Sequence, residues 1–326
     1  MPSSPSEAAC IGKVPTRGDF VRHRASTPTM RAFDDWIRQG LRRGRNERSS
    51  GWEEAEDAPT TRFFLSLRGR QVPSALLGVL QASRDRSGRA YPFAVTCELP
   101  KSAIRADRLA GLPLQAASFY SAAEQVVMDA TDGTLPYRDV TDRVTEIDTS
   151  FSFPSSSSST YEQFVRQQTV GHLLETVFGH FENGGKYRLF KNLLDICIPQ
   201  KKRDSPRLNY GLQFPLGEGK TPPTETACFW LDTSLHLLKH PDVECSFFWR
   251  PQPSGRTSSF LLLFLGPPRA DAFFHLLGSD GQSENICDLE NMGRENDAQA
   301  ALSIPEEYGS LLENENLPLR DFFRHL

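Results

Sequence analysis

Two short loops carry arginine and aspartate side chains, the residue types in this chain that could do chemistry. The first lies in the stretch IGKVPTRGDFVRHR, which begins at Ile11, and the second is SRDRSGR, which begins at Ser83. Their charged residues are Arg17, Asp19, Arg22, Arg24, Arg84, Asp85, Arg86 and Arg89. An arginine fork holds a carboxylate or a phosphate through two hydrogen bonds, so the two loops could form one surface that grips an acidic or phosphorylated partner.

The same residues allow other interpretations. The arginine and aspartate groups could pair with one another and lock the loops, or the loops could be ordinary solvated turns. Alternatively, Asp19 and Asp85 could be paired carboxylates of a hydrolase, with Arg17 and Arg86 beside them in a cleft. That enzyme needs both carboxylates to face one open pocket and at least one to be free of an arginine partner. Adhesion through the Arg-Gly-Asp tripeptide needs an exported chain, and the amino terminus shows no signal peptide.

The usual sequence motifs of enzymes are absent. There is no GxxxxGK[ST], GxGxxG, GxSxG or HExxH pattern. The Arg-Asp pair of SRDRSGR lacks the preceding histidine, the downstream asparagine and the DFG of a kinase. His236 and His240 have i, i+4 spacing but no third ligand nearby, which favours the exposed face of a helix over a metal site. The sequence therefore predicts no catalytic residue, no cofactor and no metal.

The composition limits the class of protein. The chain has 326 residues, and its 22 phenylalanines and 4 tryptophans supply bulky material for a sizeable core. Its net charge of −4 is unlike the basic footprint of a nucleic-acid-binding protein. No segment approaches the roughly 18 consecutive apolar residues of a membrane span. We therefore expect neither a nucleic-acid partner nor insertion into a membrane.

Strands and a helix must position the two loops. The segment CIGKV predicts a short strand, which Pro15 ends directly before the first loop. The runs SALLGVLQAS and YPFAVTCEL flank the second loop and are either neighbouring strands or a short helix followed by a strand. A helix is predicted from Thr27, with Pro28 at its first position. Its apolar face consists of Phe33, Trp36, Ile37 and Leu41.

A run of serines divides the chain. The segment FSFPSSSSST, residues 151–160, cannot bury apolar surface and predicts a flexible linker or a mobile loop. Before it, residues 10–150 form the region that carries both loops, and residues 1–9 are expected to be disordered. Residues 161–326 alternate strands and helices again and are expected to complete or extend the same sandwich. Such alternation predicts a mixed sheet that is covered by helices on both faces.

Two patterns in the second half of the chain predict particular elements. Apolar residues from Phe164 to Phe181 predict a helix face, and Ser159 and Glu162 have the spacing of a capping box at its start. The segment SSFLLLFLG is a continuous apolar run, which is typical of a strand buried on both faces.

The motifs of the first half resemble a known family. In order along the chain, GKVPTRGDFVRHR, FDDWIRQGL and GVLQASRDRSGRAYPFAV resemble the motifs of TagF, the accessory protein of bacterial type VI secretion. The resemblance covers about residues 10–100 and is faint beyond residue 160. The sequence departs from the family pattern at Gln81-Ala82 and at Ala90-Tyr91. Besides Gly12, Lys13 and Pro15, the candidate interaction residues at motif positions are Arg17, Gly18, Asp19, Phe20, Trp36, Ser83, Asp85, Arg86, Gly88, Arg89 and Pro92.

The resemblance implies a fold and a role. The implied fold is α/β, a three-layer α-β-α sandwich around a mixed, largely antiparallel sheet. TagF proteins repress type VI secretion after translation, so a cytoplasmic regulator rather than an enzyme is implied. The implied partner is a forkhead-associated (FHA) scaffold protein of the secretion system. Two roles for the arginine and aspartate loops stay open here, namely binding that partner or holding the fold.

Overall fold

The computed structural model describes residues 6–47, 59–69, 72–151, 160–219, 221–251, 259–276, 285–293 and 295–326. Residues 152–159, nearly all of the predicted serine linker, lie outside the described residues, and Ser159 of the predicted capping box is among them. Residues 1–5 of the segment predicted to be disordered also lie outside. Ala9 begins the first strand, and Ala8 before it is buried.

A nine-stranded sheet forms the centre of the described structure. Its strands are β1 Ala9–Gly12, β2 Val21–His23, β3 Thr61–Leu65, β4 Ser74–Gln81, β5 Phe93–Pro100, β6 Gly211–Pro215, β7 Cys245–Arg250, β8 Phe260–Leu265 and β9 Ile286–Asp288. They lie in the order β2-β1-β5-β4-β3-β7-β8-β6-β9. Every neighbouring pair is antiparallel except β6 with β9, which is parallel. The prediction of a mixed, largely antiparallel sheet is confirmed, and the pairing of β3 with β7 joins strands from the two halves of the chain.

The two apolar runs that flank the second loop are both strands. β4 and β5 pair from Ser74↔Pro100 to Gln81↔Phe93. Most of their residues are buried, because both faces of the sheet are covered by helices. Of the two alternatives that the sequence allowed, the neighbouring strands are therefore correct.

Helices cover both faces of the sheet. They are α1 Pro28–Glu47, α2 Ala106–Leu109, α3 Leu112–Gln115, α4 Ala117–Thr131, α5 Tyr137–Thr145, α6 Thr160–Gln167, α7 Val170–Phe178, α8 Gly185–Lys201, α9 Pro223–Leu238, α10 Ala272–Leu276, α11 Asp297–Ser303, α12 Glu306–Glu313 and α13 Leu319–His325. The described structure contains two apolar cores. One lies between the sheet and α1 with α10, and the other between the opposite face and a layer that includes α4, α5, α8 and α9. The fold is an α/β sandwich of three layers, as predicted.

The first helix begins and packs as the sequence indicates. The Thr27 hydroxyl accepts a hydrogen bond from Met30 N at 3.1 Å, which caps the helix. The Trp36 indole stacks on Phe248 with ring centroids 5.9 Å apart and donates from Nε1 to Pro268 O at 3.1 Å. Trp36 is therefore a buried residue of the core between α1 and the sheet.

The predicted helix face from Phe164 to Phe181 is divided between two helices. α6 ends at Gln167 and α7 begins at Val170, because Thr169 has extended backbone and caps α7 by accepting from His172 N. Thr169 also forms a β-bridge with Pro318, which lies near the end of the chain. No local sequence pattern predicts this contact. Within the described ranges, no helix combines the length and apolarity needed to cross a membrane.

Candidate functional site

The two charged loops meet at one end of the sheet. Residues 13–20 connect β1 to β2, and residues 82–92 connect β4 to β5. Since β1 pairs with β5 in antiparallel register, with Ile11 opposite Ala94, the loops leave the sheet side by side. Arg86 N donates a hydrogen bond to Arg17 O at 2.9 Å. We call this contact region, residues 13–20 with residues 82–92, the two-loop junction.

Gly12 and Pro92 form the base of the junction. Gly12 has a φ of 140°, a conformation that residues with a side chain rarely adopt. A Cβ atom on Gly12 would lie 2.1 Å from Pro92 O and 2.6 Å from Phe93 Cα. Only a glycine therefore lets the first loop approach the start of β5 this closely.

A tight turn shapes the second loop. Gly88 N donates to Asp85 O at 2.8 Å, and Asp85 N donates to Arg89 O at 3.1 Å. Gly88 has a φ of 81°. At the foot of the turn Tyr91 N donates to Ser83 O at 2.9 Å, and Ser83 is buried. These backbone bonds fix the loop independently of any ligand.

The Asp85 carboxylate is the centre of the junction, and its side chain is fully buried. Oδ1 accepts from the Ser87 hydroxyl at 2.7 Å, Ser87 N at 2.9 Å and Arg89 N at 3.0 Å. Oδ2 accepts from Arg89 Nε at 2.7 Å and lies 3.0 Å from Lys13 Nζ. Burial by itself would raise the pKa of Asp85, but the hydrogen bonds from Ser87, Lys13 and Arg89 outweigh it and hold the pKa well below its usual range.

Lys13 and Arg89 connect this carboxylate to the first loop. The Lys13 ammonium is nearly buried and also donates to Arg89 O at 3.3 Å. Arg89 Nη2 donates to Gly18 O at 2.6 Å. A single carboxylate thus binds side chains from both loops. This corresponds to the alternative in which charged groups pair with one another and fix the loops.

The remaining charged residues of the junction lie nearer the solvent. Asp19 is exposed, and its Oδ1 accepts a hydrogen bond from Phe20 N at 2.8 Å. The Arg17 guanidinium stacks on Tyr137 of α5, 3.7 Å from the ring centroid. Its Nη1 is buried and has no hydrogen-bond acceptor within the described residues, so Arg17 is only partly exposed. Arg86 is exposed and has no ion-pair partner among them.

A second buried carboxylate, not identified from the sequence, lies next to the junction. Asp34 Oδ2 of α1 is 3.1 Å from Arg22 Nη2 and 2.9 Å from Arg38 Nη2, and Oδ1 accepts from the Tyr91 hydroxyl. Burial, reinforced by Asp34, raises the pKa of Tyr91. Phe20 packs edge-on against the Tyr91 ring with centroids 4.8 Å apart. The i, i+4 spacing of Asp34 and Arg38 was the available sequence signal for this cluster.

The geometry does not give the paired carboxylates that the hydrolase hypothesis requires. Asp85 is enclosed and engaged by Lys13 and Arg89, whereas Asp19 lies at the surface. A carboxylate that is held ionised by five close donors is poorly suited to exchange a proton during catalysis near neutral pH.

The two histidines with helical spacing are separated by a helix end. α9 ends at Leu238, so His240 lies beyond it, while His236 Nδ1 is 3.0 Å from Asp232 Oδ1. The prediction that both lie on one helix face is therefore wrong, because Lys239 adopts a left-handed conformation and ends the helix. In the part of the chain that the structure describes, no group of three or more histidine, cysteine, aspartate and glutamate side chains could hold a metal ion.

The stacking of Arg17 on Tyr137 gives a first testable expectation. Tyr137→Leu should lower the free energy of unfolding by about 1 kcal/mol, because the guanidinium loses its aromatic face. Tyr137→Phe keeps the ring and should match the wild type. Urea denaturation followed by circular dichroism measures both. Equal destabilisation by the two variants would assign the effect to the hydroxyl rather than to the ring.

The fold and the junction define a three-layer α/β protein with exposed arginines above a buried aspartate. Residues 9–147 match the family model of the TagF N-terminal domain, which is described as type VI secretion system-associated. Residues 9–147 are therefore a TagF N-terminal domain, whose family is described as type VI secretion system-associated. The resemblance noted in the sequence is confirmed, and the match continues beyond residue 100 to the end of α5.

A solved structure is similar over most of the chain. It is the crystal structure of PA0076 from Pseudomonas aeruginosa PAO1, with a TM-score of 0.50 and 21% sequence identity. The match covers 85% of this chain and 96% of that one, and at this identity it concerns the fold alone. No curated protein matches the chain in sequence.

Proposed function

We propose that this protein is a non-enzymatic, cytoplasmic regulator that represses a bacterial type VI secretion system after translation. It does so by binding the FHA scaffold protein of that system. The TagF N-terminal domain supports the link to this system. One observation supports the binding role. Asp85 is engaged within the fold, whereas Arg86 is exposed and has no ion pair among the described residues, so it is available to a partner.

A rigid surface of this kind suits protein recognition. The backbone bonds between the loops and the Asp85 cluster fix the chain beneath Arg86, so the loops need not become ordered on binding. Preorganisation of this kind reduces the entropic cost of association. Arginine is enriched among the residues that contribute most to interfaces, because its guanidinium forms several directed hydrogen bonds.

Capture and secretion assays test this function. The purified protein should retain the FHA scaffold protein from a lysate of the native bacterium, and deletion of its gene should increase type VI secretion. Restoring the gene should return secretion to its original level. Failure to capture the scaffold, together with unchanged secretion in the deletion strain, would overturn the proposal.

The position of Arg86 gives a sharper expectation. Arg86→Glu should weaken scaffold binding by about tenfold or more, because it places a repulsive charge on the docking surface. The melting temperature should not change, since the Arg86 side chain is exposed and has no described ion pair. Titration calorimetry and thermal melts measure the two quantities.

Arg320→Glu is the matched control. Arg320 is an exposed arginine on α13, outside the junction, and its reversal should leave binding unchanged. Equal losses in the two variants would indicate a general charge effect. Normal binding by Arg86→Glu would place the docking surface elsewhere on the protein.

A further inference from the structure

The ion pairs that Asp85 and Asp34 form with arginines share one orientation, with the carboxylate inside and the guanidinium outside. The Asp85 side chain is 0% exposed, whereas that of its partner Arg89 is 63% exposed. Asp34 is 11% exposed, whereas its partners Arg22 and Arg38 are 49% and 45% exposed. The negative ends of these pairs are therefore covered by protein, and the positive ends meet the solvent.

Two further arginines extend the same surface. Arg86 lies across Gly18, where an added Cβ atom would be 3.8 Å from its Nη2. Arg17 follows on Tyr137; it is partly buried, its Nη1 is enclosed, and it has no ion-pair partner among the described residues. Arg22 lies over the Phe20 ring, 5.4 Å from its centroid, and connects this area with the Asp34 cluster. We call this set of arginines the arginine strip; it consists of Arg17, Arg22, Arg38, Arg86 and Arg89.

The positive charge of the arginine strip is confined to this part of the surface. The whole chain has a net charge of −4, so a positive surface is not a consequence of the overall composition. Asp19 is the exposed acid of the first loop, and Asp34 and Asp85 are buried beneath the guanidinium groups. An approaching anion meets the positive ends of the ion pairs first, and its attraction is screened by salt over about 10 Å.

We infer that the arginine strip binds an acidic, extended segment of the partner protein, rich in aspartate or glutamate. This inference rests on the proposed function and specifies the chemistry of its docking surface. The five guanidinium groups come from four separate elements, namely the two loops, β2 and α1. Separate groups of this kind suit several carboxylates in succession better than one phosphate. The negative charge of the whole chain disfavours a nucleic acid as the occupant.

Fluorescence anisotropy with synthetic peptides tests the inference. The probe is a labelled peptide of alternating glutamate and serine, compared with its glutamine counterpart and with a glutamine peptide that carries one phosphothreonine. A single-stranded oligonucleotide serves as a fourth ligand. We expect the glutamate peptide to bind tightest, with an affinity that falls as salt is raised.

Variants locate the binding to the strip. The double variant Arg38→Gln and Arg86→Gln should bind the glutamate peptide about tenfold more weakly, from two lost charge contacts. Asp34 keeps Arg22 and Tyr91 as partners in this variant, so thermal melts should confirm that the fold is retained. Arg320→Gln should bind the peptide as the wild type does.

The outcomes separate this inference from the proposed function. Preference for the phosphothreonine peptide or the oligonucleotide, equal binding of the glutamine peptide, or full binding by the double variant would overturn the acidic segment as the ligand. If the scaffold protein is captured but the glutamate peptide neither binds nor competes, the inference fails and the proposed function stands. If the peptide binds to the strip but the scaffold protein is not captured, the proposed function fails instead.

Discussion

Asp85→Asn should lower the melting temperature by about 4–7 °C, although it changes the side chain by a single functional group. An asparagine can offer one oxygen to the donors of the turn, but its amide nitrogen would then face Lys13 or Arg89, which are donors as well. The nearly buried Lys13 ammonium would also lose its counter-charge. Differential scanning calorimetry at neutral pH measures the effect.

The pH dependence of this variant follows from the sign of the pKa shift. Although burial opposes it, hydrogen bonds from Ser87, Lys13 and Arg89 keep the pKa of Asp85 below its usual range in the folded state. The stabilisation is therefore complete above the ordinary aspartate pKa of about 4 and is lost as the pH falls below it. The difference in melting temperature between wild type and Asp85→Asn should shrink from about pH 7 to about pH 3. A difference that is constant with pH would contradict stabilisation by the ionised Asp85 carboxylate.

Asp19→Asn is the control for this experiment. Asp19 is exposed, and the hydrogen bond that its Oδ1 accepts from Phe20 N can equally be accepted by an amide oxygen. We expect little change in melting temperature and no change in its pH dependence. If Asp19→Asn were as destabilising as Asp85→Asn, the assignment of Asp85 as the single structural carboxylate of the two loops would be wrong.

Gly12→Ala is expected to be the most damaging single-methyl substitution at the junction, with a loss of about 3–5 kcal/mol. The backbone at Gly12 has a φ of 140°, and the new methyl group would lie 2.1 Å from Pro92 O. Relief requires β1 and β5 to separate at the point where both loops begin. Chemical denaturation measures the loss, and a low yield of folded protein is the extreme form of the same result.

Alanine substitutions at two other glycines of the junction provide a comparison for the destabilisation by Gly12→Ala. Gly18→Ala should be nearly neutral, because its Cβ would meet only Arg86 Nη2 at 3.8 Å. Gly88→Ala should cost about 1 kcal/mol, because its φ of 81° is unfavourable for alanine although the surrounding space is open. The expected order of destabilisation is Gly12, Gly88, Gly18, and any other order would contradict the close approach to Pro92.

The sequence by itself was sufficient for the local features. The apolar run after SRDRSGR indicated the strand β5, whereas the run before it allowed a strand or a short helix and is the strand β4. The Thr27 cap and the apolar face that follows located α1. The turn of the second loop is also local, because Asp85 accepts hydrogen bonds from residues two and four positions away. These patterns depend on side-chain alternation, capping and turn chemistry, which act over a few residues.

The tertiary structure decided which of two similar aspartates is buried. In the sequence, Asp19 and Asp85 both stand in short charged loops next to glycine and arginine, and no local pattern separates them. The pairing of β1 with β5 brings Lys13 to Asp85 and leaves Asp19 at the surface. The contact of Arg17 with Tyr137 and the contact of Tyr91 with Asp34 likewise join residues that are far apart along the chain. Burial and ion-pair partners depend on strand register and helix packing, and these are set by contacts between distant segments.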